Sequence, residues 1–216
     1  MWKKGREKMR LILDCRAANR HFVLPPSTEL LSSEGFSRFE AELDGGLDLE
    51  ALRLYLGIAD VKDCFHRMKF EGPISEYFCY EGGYASEFGI TQIDGKAVSG
   101  DTWIYPAAAV LPMGLAWSLH FAQTANVHAF TSVDCLRDAR FLSDRSTAFV
   151  LSRDGPPGRY CYVDNRGVVG PRRAEIEKGL EASTRVFDGK GLLLHDRELL
   201  DDGGVSLGVH LDGKAL

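Results

Sequence analysis

Two hydrophobic runs of the chain lead directly to acidic residues. Residues 52–59 (LRLYLGIA) are almost continuously hydrophobic and run into Asp60, which is typical of a buried central strand with a polar group at its end. Residues 160–169 (YCYVDNRGVV) predict two short strands that fold back across a polar tip at 164–166. We therefore expect Asp60 and Asp164 at the ends of strands.

Two longer segments have the spacing of helices. Residues 115–133 lack proline and glycine and are hydrophobic at helical spacing, which predicts the longest helix of the chain. Residues 171–189 predict an amphipathic helix with Pro171 near its first turn. The remaining pattern predicts a buried strand at 9–14, a helix at 27–43, strands at 76–80 and 103–111 with a hairpin between them, an irregular surface excursion at 137–157, and strands at 191–195 and 205–211.

The order of these elements predicts an α+β fold. It corresponds to a β-α-β-β-α-β (ferredoxin-like) arrangement with a large insertion, in which an antiparallel sheet packs on helices. In this sheet the strand that ends at Asp60 lies beside the hairpin that carries Asp164. The length of 216 residues, 44% of them hydrophobic, allows one large domain or two closely packed subdomains.

Composition limits the location of the protein and its metal chemistry. No run approaches the roughly 18 hydrophobic residues of a membrane span, and the N-terminus lacks the hydrophobic region of a secretory signal. We expect an intracellular protein, in the cytoplasm or the nucleus, without a membrane partner. The five cysteines are odd in number and have no CxxC spacing, which indicates neither a disulfide framework nor a zinc site.

The net charge of −5 is unfavourable for nucleic-acid binding by the chain as a whole. Phosphate neutralisation supplies most sequence-independent affinity, so a binder is expected to carry a basic face. The charge is unevenly distributed, however, because residues 1–10 contain five basic residues whereas residues 29–50 are acidic. A local basic arm is therefore compatible with an acidic chain.

Asp60 and Asp164 are candidate ligands for divalent cations. Hard cations prefer carboxylate oxygens on rigid elements, and phosphoryl or nucleotidyl transfer by two metal ions requires little other protein chemistry. An aspartate at a strand end is also commonly a helix cap or a turn residue. Each aspartate taken alone favours that structural interpretation.

Five motifs resemble those of the reverse transcriptases of retroelements, in the order of that family. KMRLILDCRAANRHF resembles the fingers segment with its Asp-x-Arg-x-x-Asn signature, here Asp14, Arg16 and Asn19. ADVKDCFHRM resembles the first palm motif, LPMGLAWSLHFAQ the second and YVDN the third. SLGVHLD resembles the later Leu-Gly strand. The resemblance covers nearly the full length of the chain and implies a palm-type polymerase fold with partial fingers.

The resemblance implies an RNA-directed DNA polymerase. Asp60 and Asp164 would form the metal-binding pair, with the carbonyl of Val61 as a further ligand and Mg²⁺, or Mn²⁺, as the cofactor. A primer 3′-hydroxyl would attack the α-phosphate of a deoxynucleoside triphosphate on an RNA or DNA template. The runner-up hypothesis is a catalytically impaired remnant with at most weak nucleic-acid binding. An unrelated metal-dependent phosphohydrolase, ranked last, would explain the two aspartates but not the LPMG and fingers motifs.

Several residues align with positions that contact the incoming nucleotide in the family. Lys3 and Arg10 would grip the triphosphate, a role that suits the fork of Arg10 in particular. Asp63 and Cys64 would lie near the triphosphate, although a turn-stabilising role for Asp63 is equally supported. Phe65 would lie beneath the sugar and select against a 2′-hydroxyl, and ordinary core packing is the alternative.

Other residues align with the nucleotide, primer and template positions. Met113 would make one nucleotide contact apolar, and Gly114 would let the chain approach the nucleotide closely. Tyr162 would touch the primer end, and Asn19 belongs to the predicted primer and template contacts. Gln123 would either position the template or serve as an ordinary polar residue of its helix.

Asn165 departs from the family pattern, which usually has a second aspartate in the third palm motif. An amide coordinates or hydrogen-bonds a cation but supplies no charge, so the predicted catalytic set of Asp60, Asp164 and Asn165 has two carboxylates. The predicted organisation is partial fingers at 1–50 and a palm at 51–216, with a fingers-like excursion at 76–111. Since no thumb or ribonuclease H region follows, the resemblance implies a polyprotein fragment or truncated copy with weak, non-processive binding.

Overall fold

The computed structural model describes residues 12–42, 52–69 and 72–213, which divide into two compact units. The first unit holds the described residues of Met1–Leu24 and of Phe65–Ser118, and the second holds those of Pro25–Cys64 and of Leu119–Leu216. The boundaries of these two units differ from those of the fingers predicted at 1–50 and the palm predicted at 51–216. The assignment of fingers and palm stays a prediction.

Both helices and strands are present, which confirms the predicted α+β class. The α-helices are α1 (Arg16–Asn19), α2 (Ser33–Phe36), α3 (Ala116–Thr131) and α4 (Arg173–Gly189), and 3₁₀ turns span Cys64–Arg67, Pro73–Phe78 and Asp134–Leu136. The strands are β1 (Phe39–Ala41), β2 (Tyr55–Val61), β3 (Gly83–Tyr84), β4 (Gln92–Ile93), β5 (Lys96–Ala97), β6 (Trp103–Ile104), β7 (Arg140–Phe141), β8 (Phe149–Leu151), β9 (Gly158–Tyr162), β10 (Asn165–Gly170), β11 (Leu194–Leu200), β12 (Gly203–Ser206) and β13 (Val209–Asp212).

The second unit is built around a five-stranded sheet with the order β11-β2-β10-β9-β7. The first four strands are antiparallel to their neighbours, whereas β7 lies parallel to β9. The prediction of a purely antiparallel sheet is therefore wrong at one edge, where the chain adds the two-residue strand β7. The adjacency of β2 and β10 confirms that the strand of Asp60 lies beside the hairpin of Asp164.

Helix α4 packs closely on the middle of this sheet. A Cβ atom on Gly57 of β2 would lie 3.1 Å from Cγ2 of Ile176 and 3.4 Å from Cβ of Leu180, so glycine permits the close approach. The opposite part of the core is hydrophobic and includes the buried hydroxyl of Tyr160, which is hydrogen-bonded to Ser206. Its buried members are Leu31, Phe36, Leu54, Leu56, Leu142, Phe149, Leu151, Tyr160, Val169 and Leu211.

The helix predicted at 27–43 is wrong over most of its length. Only Ser33–Phe36 is helical, and Phe39–Ala41 forms β1, which pairs in parallel with β8. The side chain of Ser32 accepts a hydrogen bond from the N–H of Glu34, as an N-cap does. Among the apolar residues that suggested one face of a helix, Leu30 and Leu31 lie in the irregular segment before α2, Phe36 lies in α2 and Phe39 in β1.

Four further predictions need correction. The strand predicted at 76–80 is part of a 3₁₀ turn that begins at Pro73, and the strand predicted at 103–111 is regular only over β6, with isolated bridges beyond it. The excursion predicted at 137–157 contributes β7 and β8 and buries Leu142 in the core. Helix α4, with 17 residues, is one residue longer than α3, so α3 is not the longest helix.

Helix α4 occupies most of the predicted 171–189 segment. The strand predicted at 191–195 is shifted toward the C-terminus, to β11, and the single strand predicted at 205–211 is instead the β12–β13 hairpin, which turns at 207–208. In the first unit, β4 and β5 form the predicted hairpin around Asp94 and Gly95, whose φ angles of 50° and 76° suit a tight turn. The predicted strand at 9–14 lies largely outside the described residues.

The first unit has a small hydrophobic core of its own, formed by Cys15, Ala18, Phe78, Ala108 and Leu115. Within the described ranges, no helix combines the length and hydrophobicity that a membrane crossing requires.

Candidate carboxylate site at the end of the central sheet

Asp60 and Asp164 lie at the same end of the central sheet. Asp60 is the penultimate residue of β2 and pairs directly with Asn165, the first residue of β10. The N–H of Val61 donates a hydrogen bond of 2.8 Å to the carbonyl oxygen of Asp164. Because directly opposed residues of antiparallel strands point to one face, Asp60 and Asn165 share the face beside the Asp164 turn.

Val163 and Asp164 form the two-residue turn that joins β9 to β10. Val163 has a φ angle of 56°, in the region of positive φ where glycine is the usual residue. For a β-branched residue, this conformation costs about 1–2 kcal/mol. The turn therefore depends on surrounding contacts that hold the backbone of Val163.

Two buried amide side chains of α3 supply those contacts. The N–H of Val163 donates a hydrogen bond of 2.7 Å to Oε1 of Gln123, and the carbonyl oxygen of Val163 accepts a hydrogen bond from Nδ2 of Asn126. Gln123 and Asn126 are three residues apart and therefore lie on one face of the helix. Both polar groups of the strained residue are thus held by the same helix.

Gln123 has a structural role in the second unit. Its side chain is only 3% exposed, and Nε2 also donates hydrogen bonds of 2.9 Å to the carbonyl oxygens of Glu29 and Cys161. Of the two roles considered for Gln123, this arrangement favours the polar structural residue, because the amide is buried and already bonded on both sides. Its effect on the site is to position the turn of Asp164.

The thiol of Cys64 lies within the electrostatic influence of both aspartates. Burial raises the pKa of Cys64 to about 11; a hydrogen bond from Asn126 opposes the rise, and the carboxylates of Asp164 and Asp60 add to it. This shared neighbour indicates that the two carboxylates converge on one region. Because the Cys64 side chain is buried, the predicted substrate contact at this position would have to come from its backbone.

The donor chemistry of the site fits a hard divalent cation. The site combines the carboxylates of Asp60 and Asp164 with the amide of Asn165, whose Nδ2 donates a hydrogen bond of 3.2 Å to Oδ1 of Asp164. The side chain of Val61 is buried, which leaves its carbonyl oxygen as the predicted further ligand. Among residues 12–42, 52–69 and 72–213, no group of three or more His, Cys, Asp and Glu residues forms a metal cluster.

Arg166 places a buried guanidinium immediately behind this site. It follows Asn165 on β10 and so points to the opposite, helix-facing side of the sheet. Its guanidinium carbon lies 3.5 Å from the ring centroid of Phe187 on α4 and 5.7 Å from that of Phe130 on α3. Arg166 is 3% exposed, and its three nitrogens donate no hydrogen bond to any residue in the described part of the chain.

The electrostatic environment of Arg166 connects it to the site. Burial lowers the pKa of Arg166 to about 9, and Cys161, Asp188 and Asp60 partly oppose this change. A desolvated cation that is held by aromatic faces rather than by a carboxylate pair is an uncommon core feature. It reduces the negative potential that Asp60 and Asp164 create.

The remaining predicted residues of the second unit lie near the turn. Tyr162 is the last residue of β9 and is 36% exposed, and its contact with a primer end stays a prediction. Asp63 is exposed and has a φ angle of 52°, a backbone conformation typical of turns. Both predicted roles of Asp63 remain compatible with this position.

The predicted residues of the first unit organise the LPMG turn. Asn19 accepts a hydrogen bond of 2.9 Å from the N–H of Ala116 and donates one of 3.0 Å to the carbonyl oxygen of Gly114. Gly114 has a φ angle of 124°, and a Cβ atom there would lie 2.4 Å from the carbonyl oxygen of Leu13, so this position requires glycine. Asn19 therefore stabilises the turn at which Gly114 lies.

Two half-buried residues of the first unit retain their predictions. Phe65 is the first residue of the second segment of this unit. The carbonyl oxygen of Met113 accepts a hydrogen bond of 3.2 Å from the N–H of Leu13. Lys3 and Arg10, predicted to grip a triphosphate, lie outside the described residues.

Two contributors to the site were missed by sequence reasoning. Asn126 follows Gln123 by one helical turn, a spacing that could have indicated a shared partner. Arg166 directly follows the YVDN motif, and a charged residue inside an otherwise hydrophobic strand was a signal of an unusual environment.

The chain matches no known protein-family model, and no curated protein is significantly similar to it.

Proposed function

We propose that the chain is the palm-type core of an RNA-directed DNA polymerase, with a ferredoxin-like sheet carrying the catalytic aspartates. The observation that carries the proposal is the strand register. Asp60 of β2 is paired with Asn165 of β10, and the backbone of Val61 is bonded to Asp164. Two carboxylates, one near the end of β2 and one in the turn that leads into the adjacent β10, are the minimum that cation-assisted nucleotidyl transfer requires.

The proposed reaction is attack of a primer 3′-hydroxyl on the α-phosphate of a deoxynucleoside triphosphate, with release of pyrophosphate. Asp60 and Asp164 would hold Mg²⁺ or Mn²⁺, which when bound lowers the pKa of the attacking hydroxyl and neutralises phosphate charge. Gln123 and Asn126 keep the Asp164 turn in its strained conformation. Such positioning is the main contribution that a protein makes to phosphoryl transfer.

A catalytically impaired polymerase-like remnant is the second candidate. Asn165 supplies no charge, so the site has two carboxylates, and the guanidinium of Arg166 lies behind them. Both features weaken the attraction for divalent cations. If the affinity of the site for divalent cations is too low, the chain would keep the polymerase-like fold but would not catalyse nucleotide transfer.

Incorporation of dTTP on a poly(rA) template with an oligo(dT) primer, measured with Mg²⁺ and with Mn²⁺, tests the first candidate. Asp60→Asn should abolish incorporation, whereas Asp154→Asn, the same change at an exposed loop residue, should leave it unchanged. Equal incorporation by the wild type and Asp60→Asn would exclude catalysis at this site.

The second candidate is separated from the first by Asn165→Asp and by direct metal binding. Mn²⁺ binding measured by electron paramagnetic resonance reports on the site without requiring turnover. If the wild type binds Mn²⁺ weakly and does not polymerise, and Asn165→Asp strengthens binding, the remnant interpretation is supported. Mn²⁺ binding that Asp60→Asn does not weaken would contradict both candidates.

A further inference from the structure

The first unit exposes a cluster of three aromatic rings, Tyr84, Trp103 and Tyr105. Their side chains are 47%, 51% and 65% exposed, respectively. The rings of Tyr84 and Trp103 lie 5.1 Å apart at 86°, and those of Trp103 and Tyr105 lie 6.4 Å apart at 73°. Because Trp103 contacts both tyrosine rings and all three side chains are about half exposed, they form a preorganised surface.

The small sheet formed by β3 and β6 places these rings on one face. Tyr84 and Trp103 are directly paired across the two strands, and Tyr105 follows Trp103 by two residues. Successive odd positions of an extended segment point to the same side. The near-perpendicular rings therefore form adjoining walls of a corner.

Because Gly82 has no side chain, the rings of Trp103 and Tyr105 pack directly against its backbone. A Cβ atom on Gly82 would lie 2.5 Å from Nε1 of Trp103 and 2.7 Å from Cε1 of Tyr105. Any larger residue would push the rings outward. Glu87 adds support, since its carboxylate accepts a hydrogen bond of 2.9 Å from the N–H of Tyr84.

The charge around the cluster determines which ligands it can attract. Residues 72–111 contain five acidic residues and one lysine, a net charge of −4, and all six side chains are exposed. The acidic residues are Glu76, Glu81, Glu87, Asp94 and Asp101. Of these residues, Glu87 lies beside the cluster, since its carboxylate accepts a hydrogen bond from the N–H of Tyr84, and its negative charge attracts a cation there.

We propose that Tyr84, Trp103 and Tyr105 form a binding site for a quaternary ammonium group, such as a trimethylated lysine in a peptide. The negative face of an aromatic ring attracts a cation, and the attraction is strongest for tryptophan. A corner of perpendicular rings suits a compact, methyl-covered cation better than a planar group, which stacks on a single ring. The carboxylate of Glu87, beside the backbone of Tyr84, adds attraction for the positive ligand.

The test is a titration of the full chain with a trimethyllysine peptide, followed through the indole N–H resonance of Trp103. The matched control ligand is the same peptide with a neutral tert-butyl side chain of the same shape. The cationic peptide should bind at least about tenfold more tightly than the neutral peptide. Choline is titrated in parallel: binding by choline as tight as by the peptide indicates a small-molecule ligand, and preferential peptide binding indicates a protein partner.

Variants assign the binding to the cluster. Trp103→Ala should abolish the binding and Trp103→Phe should retain part of it, while Gly82→Ala should weaken it by displacing the rings. Phe121→Ala, which removes an exposed aromatic ring of α3, is the control and should bind normally. Equal binding of the charged and neutral peptides, no binding of any ammonium ligand, or displacement of the peptide by a thymidine oligonucleotide would each overturn the proposal.

Discussion

Replacement of Gln123 by leucine is expected to destabilise the second unit and to release the turn that carries Asp164. Leucine has a similar size but no polar group, so the N–H of Val163 and the carbonyl oxygens of Glu29 and Cys161 each lose a partner. The amide of Gln123 is 3% exposed, so water cannot easily replace it.

The size of the effect follows from these three hydrogen bonds. A buried donor left without a partner costs about 1–3 kcal/mol, and each lost hydrogen bond to a carbonyl contributes about 1 kcal/mol. The total for Gln123→Leu is therefore about 3–5 kcal/mol, a large part of the roughly 5–15 kcal/mol of a typical domain. Relaxation of the strained φ angle of Val163 after release would recover a small part of this cost.

Urea denaturation followed by circular dichroism measures the change in the free energy of unfolding. Thr124→Ala is the matched control, because Thr124 is the exposed neighbour of Gln123 on α3 and should change stability by less than about 0.5 kcal/mol. Gln123→Glu keeps an acceptor for Val163 but loses the amide donors and buries a carboxylate beside two carbonyl oxygens, so it should cost at least as much as Gln123→Leu. A cost below about 1 kcal/mol for Gln123→Leu would refute the assignment of Gln123 as the support of the turn.

Further predictions concern the ionisable groups. Arg166→Met should leave stability unchanged or raise it by about 1–4 kcal/mol in the same urea assay, because an unpaired buried charge is replaced by an apolar side chain; a loss above about 2 kcal/mol would contradict this reasoning. The pKa of the buried Cys64 thiol is raised to about 11, so at pH 8 Cys64 should be protonated and should react with iodoacetamide much more slowly than exposed Cys79. The rate of alkylation of Cys64 should rise as the pH approaches 11. Equal alkylation rates of the two cysteines at pH 8 would exclude the buried environment of Cys64. The pKa of Asp14 is lowered to about 2 by the hydrogen bonds from Arg16, so carbon-detected NMR should show titration near pH 2 in the wild type and near the ordinary value of about 3.9 in Arg16→Ala. The stabilising interaction between the two side chains is present above the ordinary pKa and is lost as the pH falls through about 2. An unchanged titration of Asp14 in Arg16→Ala would disprove the pairing.

The strands that carry the candidate site were predictable because their local pattern agrees with their final environment. Residues 52–59 are hydrophobic and form most of β2, and residues 160–169 form the β9–β10 hairpin. The positions of Asp60 and Asp164 followed from these two segments. The strain at Val163 was not predictable, because valine favours extended strands and the left-handed conformation is imposed by Gln123 and Asn126 from another element.

The failure at residues 27–43 has a long-range cause. Leu31 and Phe36 are buried as their spacing suggested, but the carboxylate of Asp144 accepts hydrogen bonds from the N–H groups of Ser32 and Gly35 and holds a single turn there. The segment after that turn pairs with β8, more than 100 residues later in the chain. Spacing within one segment cannot reveal a partner at that distance, so tertiary contacts override the helical pattern.

The hydrogen bonds from α3 to the backbone of Val163 also determine which positions tolerate substitution. Gln123 and Asn126 bind the backbone N–H and carbonyl of residue 163, not its side chain. Recognition of the main chain makes the residue type at 163 replaceable by others that accept a left-handed backbone, glycine above all. Gln123 cannot be exchanged so freely, since it both accepts from Val163 and donates to two carbonyl oxygens, and few side chains offer a donor and an acceptor of that length. The residues that preserve the shape of the turn thus lie 37 or more positions away in the chain, outside the motif that contains it.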